Sequence, residues 1–278
     1  MHHAPILYLI ASPVGNLRDI SARALDILAR TPLLAAEDTR AARRLLAAHG
    51  VRGKTVMSLR AHNESRAAAA LIARMRSAGA AAYLSDAGAP GVADPGAKLA
   101  RAARAAGIRV SPIPGASALT CILSAAGSGG AAHFFGFAPR SPAARERFFA
   151  GLPAFAGDIV LFESPLRIAD TVSRLRAAFG DDARAAVGRE MTKLHEQIAS
   201  APLAEMERAL VSGDIPARGE FTLLVESPGR APLSLAGREL FDVLAKELPP
   251  RRAAKIAAQF TGESAASYYR RRLAGTAE

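Results

Sequence analysis

The chain has 278 residues, half of them hydrophobic, with 36 Lys and Arg against 25 Asp and Glu and a single cysteine. That length supports two domains, or two and a small appendage, around a core that needs no cross-links. One cysteine excludes an internal disulfide and any zinc site built on paired thiolates, and no apolar run reaches the roughly 20 residues of a membrane-spanning helix. The apolar stretch 6–11 follows no basic segment, so no signal peptide is read there and a cytoplasmic, membrane-free protein is expected. Cys121, among Leu119, Ile122 and Leu123, reads as a small buried residue rather than a nucleophile. The net charge of +11 is carried almost wholly by arginine, whose planar fork grips phosphate at two points. A polyanionic partner is one reading; a general surplus of arginine and alanine is the other.

In chain order, runs rich in β-formers at 6–11, 33–36, 55–59, 81–85 and 109–113 alternate with helix-period segments. The first helix is capped by Asp19 or Ser21, the second runs through 43–46 to Gly50, the third spans 65–78 and the fourth 97–106. Gly79 and Gly107 stand where a left-handed residue ends a helix. Such a βα alternation specifies a parallel sheet. Beyond the linker 127–130 the pattern becomes a strand at 133–137, a helix from Pro142, a strand at 159–163 and a helix over 165–179. Strands at 185–189, 194–199 and 221–226 follow, with so little chain between the first two that some pairs must be antiparallel. The segment 228–232 breaks the chain, and only helices are read after it, at 235–248, 251–260 and 264–273. The expected division is therefore 1–126, 131–228 and 233–278: a parallel-rich α/β domain, an α/β domain with a mixed sheet, and a small helical tail.

Three loops fall at the C-terminal tips of the first domain's strands, where open α/β sheets hold their ligands. The first, 12–17, has one glycine where a dinucleotide fingerprint needs three, and no phosphate-binding G-x-x-x-x-G-K-[ST] occurs anywhere, so nicotinamide, flavin and nucleoside-triphosphate readings lose support. The second, 85–96, is long and rich in glycine and proline, which lets backbone approach a ligand closely. The third, 114–118, offers amides at a helix start to a polar or anionic group. Taken singly, each is equally an ordinary strand-to-helix turn.

The three loops in this order, with LYLIASPVGNLRDISARAL, AAEDTRAARRLL, HNE, YLSDAGAPGVADPG, PGASA and FESPLRI, resemble the tetrapyrrole-methylase superfamily of S-adenosylmethionine enzymes. The wording is closest to its branch of bacterial 16S ribosomal RNA cytidine-2′-O-methyltransferases. The resemblance implies a homodimer whose subunits each hold S-adenosyl-L-methionine between two α/β domains and act on 16S rRNA within the small ribosomal subunit. Cofactor contacts would come from Pro13 and Asn16, from Ser85, Asp86, Gly88 and Gly91, from Gly115, Ala116 and Ser117, and from Phe162, Glu163 and Ser164 on the opposite side. A carboxylate at Asp86 suits the amino, hydroxyl and sulfonium groups of such a ligand, although a turn cap is the plainer role.

Methyl transfer to a ribose hydroxyl needs alignment and a place for the proton. Glu37, Asp38, His62 and Glu64, at the tips of the second and third strands, are the candidate bases, with capping and ion pairing as the competing roles. Arg18, Arg40, Arg43, Arg44 and Arg60 are candidates for the RNA side, or for a solvated face. The tail from Lys246 to Leu273 holds seven cations and two acids and reads as helix-turn-helix-like, with Arg251, Arg252, Arg270, Arg271 and Arg272 as phosphate contacts and Tyr268 and Tyr269 stacking or packing. The six histidines are scattered without ligand spacing, so no metal is expected. Competing readings are a superfamily member acting on a tetrapyrrole or a protein, and a non-catalytic RNA-binding protein.

Overall fold

The computed structural model describes residues 5–228, 237–261 and 264–268. Its first sheet is wholly parallel and holds β1 (Ile6–Ile10), β2 (Leu33–Ala36), β3 (Val56–Ser58), β4 (Ala80–Leu84) and β5 (Arg109–Ile113) in the order β3-β2-β4-β1-β5. The helices are α1 (Ala22–Arg30), α2 (Thr39–Ala48), α3 (Glu64–Ala78), α4 (Ala97–Ala105) and α5 (Ala118–Ala125). Local chemistry sets their ends. Ser21 caps α1 by accepting from Ala24 N, Asp38 caps α2 by accepting from Arg40 N, and Gly79 ends α3 in the left-handed region. Both faces of the sheet are covered, which is why its strands read as apolar runs: Ile10, Leu28, Leu34 and Leu45 pack on one face, Leu7, Leu71, Met75 and Leu99 on the other.

The second sheet holds β6 (Ala132–Phe137), β7 (Ala156–Glu163), β8 (Arg184–Arg189), β9 (Gln197–Pro202) and β10 (Phe221–Pro228), ordered β6-β7-β10-β8-β9. β6 and β7 run parallel, whereas β8 pairs antiparallel with both β9 and β10. With it come α6 (Pro142–Gly151), α7 (Ile168–Phe179) and α8 (Leu203–Ser212). Ile159, Leu161, Val172, Leu175, Met206 and Leu223 form its main core, and α5 covers the other face through Ile122 against Val160 and Leu224. Cys121 is half-buried beside that contact.

Sequence reading assigns no element to 203–212, where the structure has α8, and it places β9 three residues early. The connection between β8 and β9 explains the shift. Glu190 and Thr192 have positive φ there, Thr192 N donates to Glu196 at 2.6 Å, and Lys193 Nζ pairs with Glu190 and Glu220, both at 2.9 Å. These bonds hold 190–196 as a tight loop instead of a strand.

Both sheets belong to one compact unit, and the C-terminal helices form another. In the latter, α9 (Gly237–Glu247) and α10 (Pro250–Thr261) bury Phe241, Ala253, Ala254, Ala257 and Tyr268, with the Phe241 and Tyr268 rings stacked at 5.7 Å. Among the described residues, no helix is long and apolar enough to cross a membrane.

Candidate active site

β4, β1 and β5 lie side by side, so their C-terminal tips carry the loops 12–17, 85–96 and 114–117 on one rim. Ser12 and Gly88 lock the first two together: Ser12 N donates to Gly88 O at 2.8 Å, Gly88 N to Ser12 O at 3.0 Å, and Ser12 Oγ to Ser85 O at 2.8 Å. Gly96, at φ 127, lets the second loop turn into α4; a Cβ there would meet Pro90 Cβ at 2.9 Å. Gly15 is required by a close approach, because a Cβ at that position would come 2.6 Å from Thr192 Oγ1 and 2.7 Å from Met191 O. The tight loop of the second sheet thus sits directly on the first loop of the first sheet.

Two cavities open along this seam. One, of about 370 Å³, is walled by Val14, Val92, Phe137, Phe162 and Met191, by the glycines 88, 188 and 219, and by the carboxylates of Asp86, Asp94, Glu163 and Glu220; it has no Lys or Arg in its lining. The other, of about 430 Å³, is lined by Ser12, Pro13, Ser85, Asp86 and Glu220 together with the cations Arg44 and Lys193. Asp86, Val14, Ala87 and Glu220 form the wall common to both.

The acids around the first cavity are held in different ways. Glu163 is buried and saturated: Oε1 accepts from Ser164 N at 2.8 Å and Arg167 Nη2 at 2.7 Å, while Oε2 accepts from Thr171 Oγ1 at 2.7 Å and faces Arg145. Its position sets that of Phe162, whose ring packs edge-on against Phe134 and Phe137. Asp86 Oδ1 accepts from Asp38 N at 2.7 Å, and the residue lines both cavities. Burial first, then the charge of Asp86, raises the Glu37 carboxyl above its ordinary range, and its Oε2 is buried without a partner. On the β8–β9 loop, burial works against the Lys193 charge, but its bonds to Glu190 and Glu220 win and hold the amine above its ordinary range.

Of the positions named from the sequence, Pro13, Ser85, Asp86, Gly88, Phe162, Glu163 and Ser164 line one or both cavities. Asn16, Gly91, Gly115, Ala116 and Ser117 line neither; Asn16 instead caps the short helical turn 17–19 by accepting from Arg18 N. Two of the candidate bases are helix caps. Glu64 is buried and its Oε1 takes the amides of Gly96, Lys98 and Leu99 at 2.8–3.1 Å, closing the open start of α4, so the expectation of a base there gives way to a structural role. Asp38 caps α2, and His62 is exposed and lines neither cavity.

Among the arginines, Arg44 lines the second cavity, Arg60 donates to Glu37 O, and Arg18, Arg40, Arg43, Arg251 and Arg252 are exposed. Tyr268 is core rather than a platform for bases. Arg270, Arg271, Arg272 and Tyr269 lie outside the described residues. Sequence reading misses Asp94, Phe137, Met191, Lys193 and Glu220. Asp94 stands in a quoted motif, but the others come from the second sheet and reach the site through topology alone.

The pocket thus lies at the strand tips of a parallel sheet and is completed by a mixed one. A family model for tetrapyrrole (corrin/porphyrin) methylases matches residues 6–207, and the chain belongs to that family. It is similar to ribosomal RNA small subunit methyltransferase I of Neisseria meningitidis serogroup A, 39% identical over 95% of this chain and 91% of that one. The proteins of the same name from Pseudomonas aeruginosa and Mesorhizobium japonicum are each 38% identical, over 93% and 97% of this chain and 93% and 92% of theirs. Among solved structures, the fold matches a cobalt precorrin-4 methyltransferase with TM-score 0.61 at 18% identity, covering 80% of this chain and 94% of that one. A diphthine synthase gives TM-score 0.59 at 16% identity, covering 80% and 90%.

Proposed function

We propose that this chain moves the methyl group of S-adenosylmethionine to the ribose 2′-oxygen of a cytidine in small-subunit ribosomal RNA. The observation that carries the reading is the lining of the first cavity, which holds four carboxylates and no Lys or Arg, while the cavity beside it adds Arg44 and Lys193 to the shared Asp86 and Glu220. A sulfonium with an α-amino group is cationic and suits the first, whereas a ligand held by its phosphates does not. A nucleic-acid backbone suits the second. The volume near 370 Å³ falls in the range of small-ligand sites, and the Phe137, Phe162 and Met191 walls suit an adenine ring.

When bound, the cofactor supplies an already activated methyl group, so the protein's part is alignment, exclusion of water and removal of a proton. Asp86, on the shared wall, would face the sulfonium and orient the donor; Phe162, braced by Glu163, would close the pocket from the second sheet. Arg44, beside Lys193, would seat the RNA backbone, with Arg40 and Arg43 on the same helix; Arg251 and Arg252 would offer further phosphate contacts from the C-terminal helices. We also take the active form to be a homodimer and 1–126, 131–228 and 233–278 to be its domains; light scattering checks the first and limited proteolysis the second.

The test offers labelled S-adenosylmethionine together with small ribosomal subunits, free rRNA or a tetrapyrrole. Label should appear in 2′-O-methylcytidine after nuclease digestion. Label in the tetrapyrrole alone, or in none of the three, would remove the reading.

A further inference from the structure

The site needs a group to take the hydroxyl proton, and the sequence candidates do not supply it: Glu64 and Asp38 are caps, while His62 and Glu37 line neither cavity. Asp94 does line the first cavity. It is half-buried, and its carboxylate has no hydrogen-bond or ion-pair partner among the described residues, in contrast to the saturated Glu163 across the cavity. A partnerless carboxylate keeps its lone pairs for whatever enters.

We propose that Asp94 is the catalytic base, accepting the ribose 2′-hydroxyl proton as the new oxygen–carbon bond forms. The step balances: the oxygen–methyl bond forms, the sulfur–methyl bond breaks with its electron pair left on sulfur, and the proton passes to Asp94 Oδ. The positive charge of the donor and the negative charge of Asp94 vanish together, and the neutral acid then returns its proton to water. The groups acting on Asp94 are Glu37 after β2, Asp86 after β4 and Glu220 before β10, with the Tyr83 phenol on β4; all the charged ones are anions. Burial first, and these charges second, push the Asp94 carboxyl up to about 7. A base with that proton affinity is matched to neutral solution, where it is substantially ionised and still a useful acceptor.

This proposal rests on the methyl-transfer reading, so its test separates the two. Asp94→Asn keeps size and shape. Its cofactor affinity by calorimetry should stay within about threefold, which is under 1 kcal/mol of binding, while turnover on RNA falls by about 10²–10⁴-fold. The parent rate should rise through about pH 7 to a plateau, the Asn variant should lose that rise, and Asp94→Glu should recover part of the rate. A readout without substrate accompanies these. A carboxyl raised in the fold supports stability at acid pH and withdraws that support as pH climbs through about 7. Asp94→Asn should therefore melt about 2–4 °C above the parent at pH 8, with the difference shrinking as pH falls below about 7 and closing only near pH 4. Unchanged turnover in a cofactor-binding Asp94→Asn, or a parent-like pH profile, overturns the proposal alone; so does a large loss of affinity with full turnover at saturation. A parent that binds no S-adenosylmethionine overturns the function reading and this proposal with it.

Discussion

Asp86 serves two purposes with one carboxylate: Oδ1 fixes the end of β2 through the Asp38 amide, and the group as a whole faces both cavities. Asp86→Asn keeps the acceptor for Asp38 and removes only the charge. We expect its S-adenosylmethionine Kd to rise about tenfold, the size of one charge-assisted hydrogen bond, with turnover at saturation little changed; calorimetry and steady-state kinetics read the two. Arg145 is a different case, because it lies buried among Glu163, Asp170, Thr171 and the Phe149 ring. Arg145→Ala leaves Glu163 short of a partner in the core and should cost about 3–5 kcal/mol in urea unfolding. Asp86 was legible in the sequence because glycine and proline mark its loop. The network around Arg145 was not, since its members lie up to 26 positions apart and nothing in their spacing announces a cluster.

The elements of the first sheet follow closely from residue chemistry. The central strands β1, β2 and β4 are buried or half-buried along their length, each helix has a hydroxyl, carboxylate or glycine at its end, and so strands and helices are readable one at a time. The second sheet is harder. α8 shows Leu203, Met206 and Leu210 at helical spacing, yet it lies between strands that themselves read as continuous, and β9 starts late because ion pairs hold 190–196 in a loop. That loop makes Gly15 a test of the seam. Gly15→Ala must push residues 191–193 outward, and because Met191 is buried and Thr192 and Lys193 are half-buried it should lower the circular-dichroism melting temperature as well. A displacement of about 1 Å in such a site costs on the order of 10²-fold in rate, to be read as kcat/KM at a temperature where the variant is fully folded.

For the molecule as a whole, the basic surplus divides between the sheet unit and the C-terminal helices, where Arg251 and Arg252 stand exposed at the start of α10. Reversing both to Glu should weaken RNA binding, flatten its dependence on salt and leave cofactor affinity as it was. Equal loss of both affinities would show the C-terminal helices to be structural support. Charge alone left nucleic acid as one option of two; that Arg44 and Lys193 line a cavity sharing Asp86 and Glu220 with the acidic one is visible only in three dimensions.

The contact of Gly15 with Thr192 and Met191 reaches beyond catalysis. Two halves severed in the glycine-rich segment 127–130 would each carry a sheet with its own apolar interior, and neither would own a complete pocket. Co-expressed, they should recombine as a split enzyme, and the ligand, by binding only the joined form, would act as the glue that raises their mutual affinity. Methylation restored by mixing would then report how much of the catalyst is a property of the join.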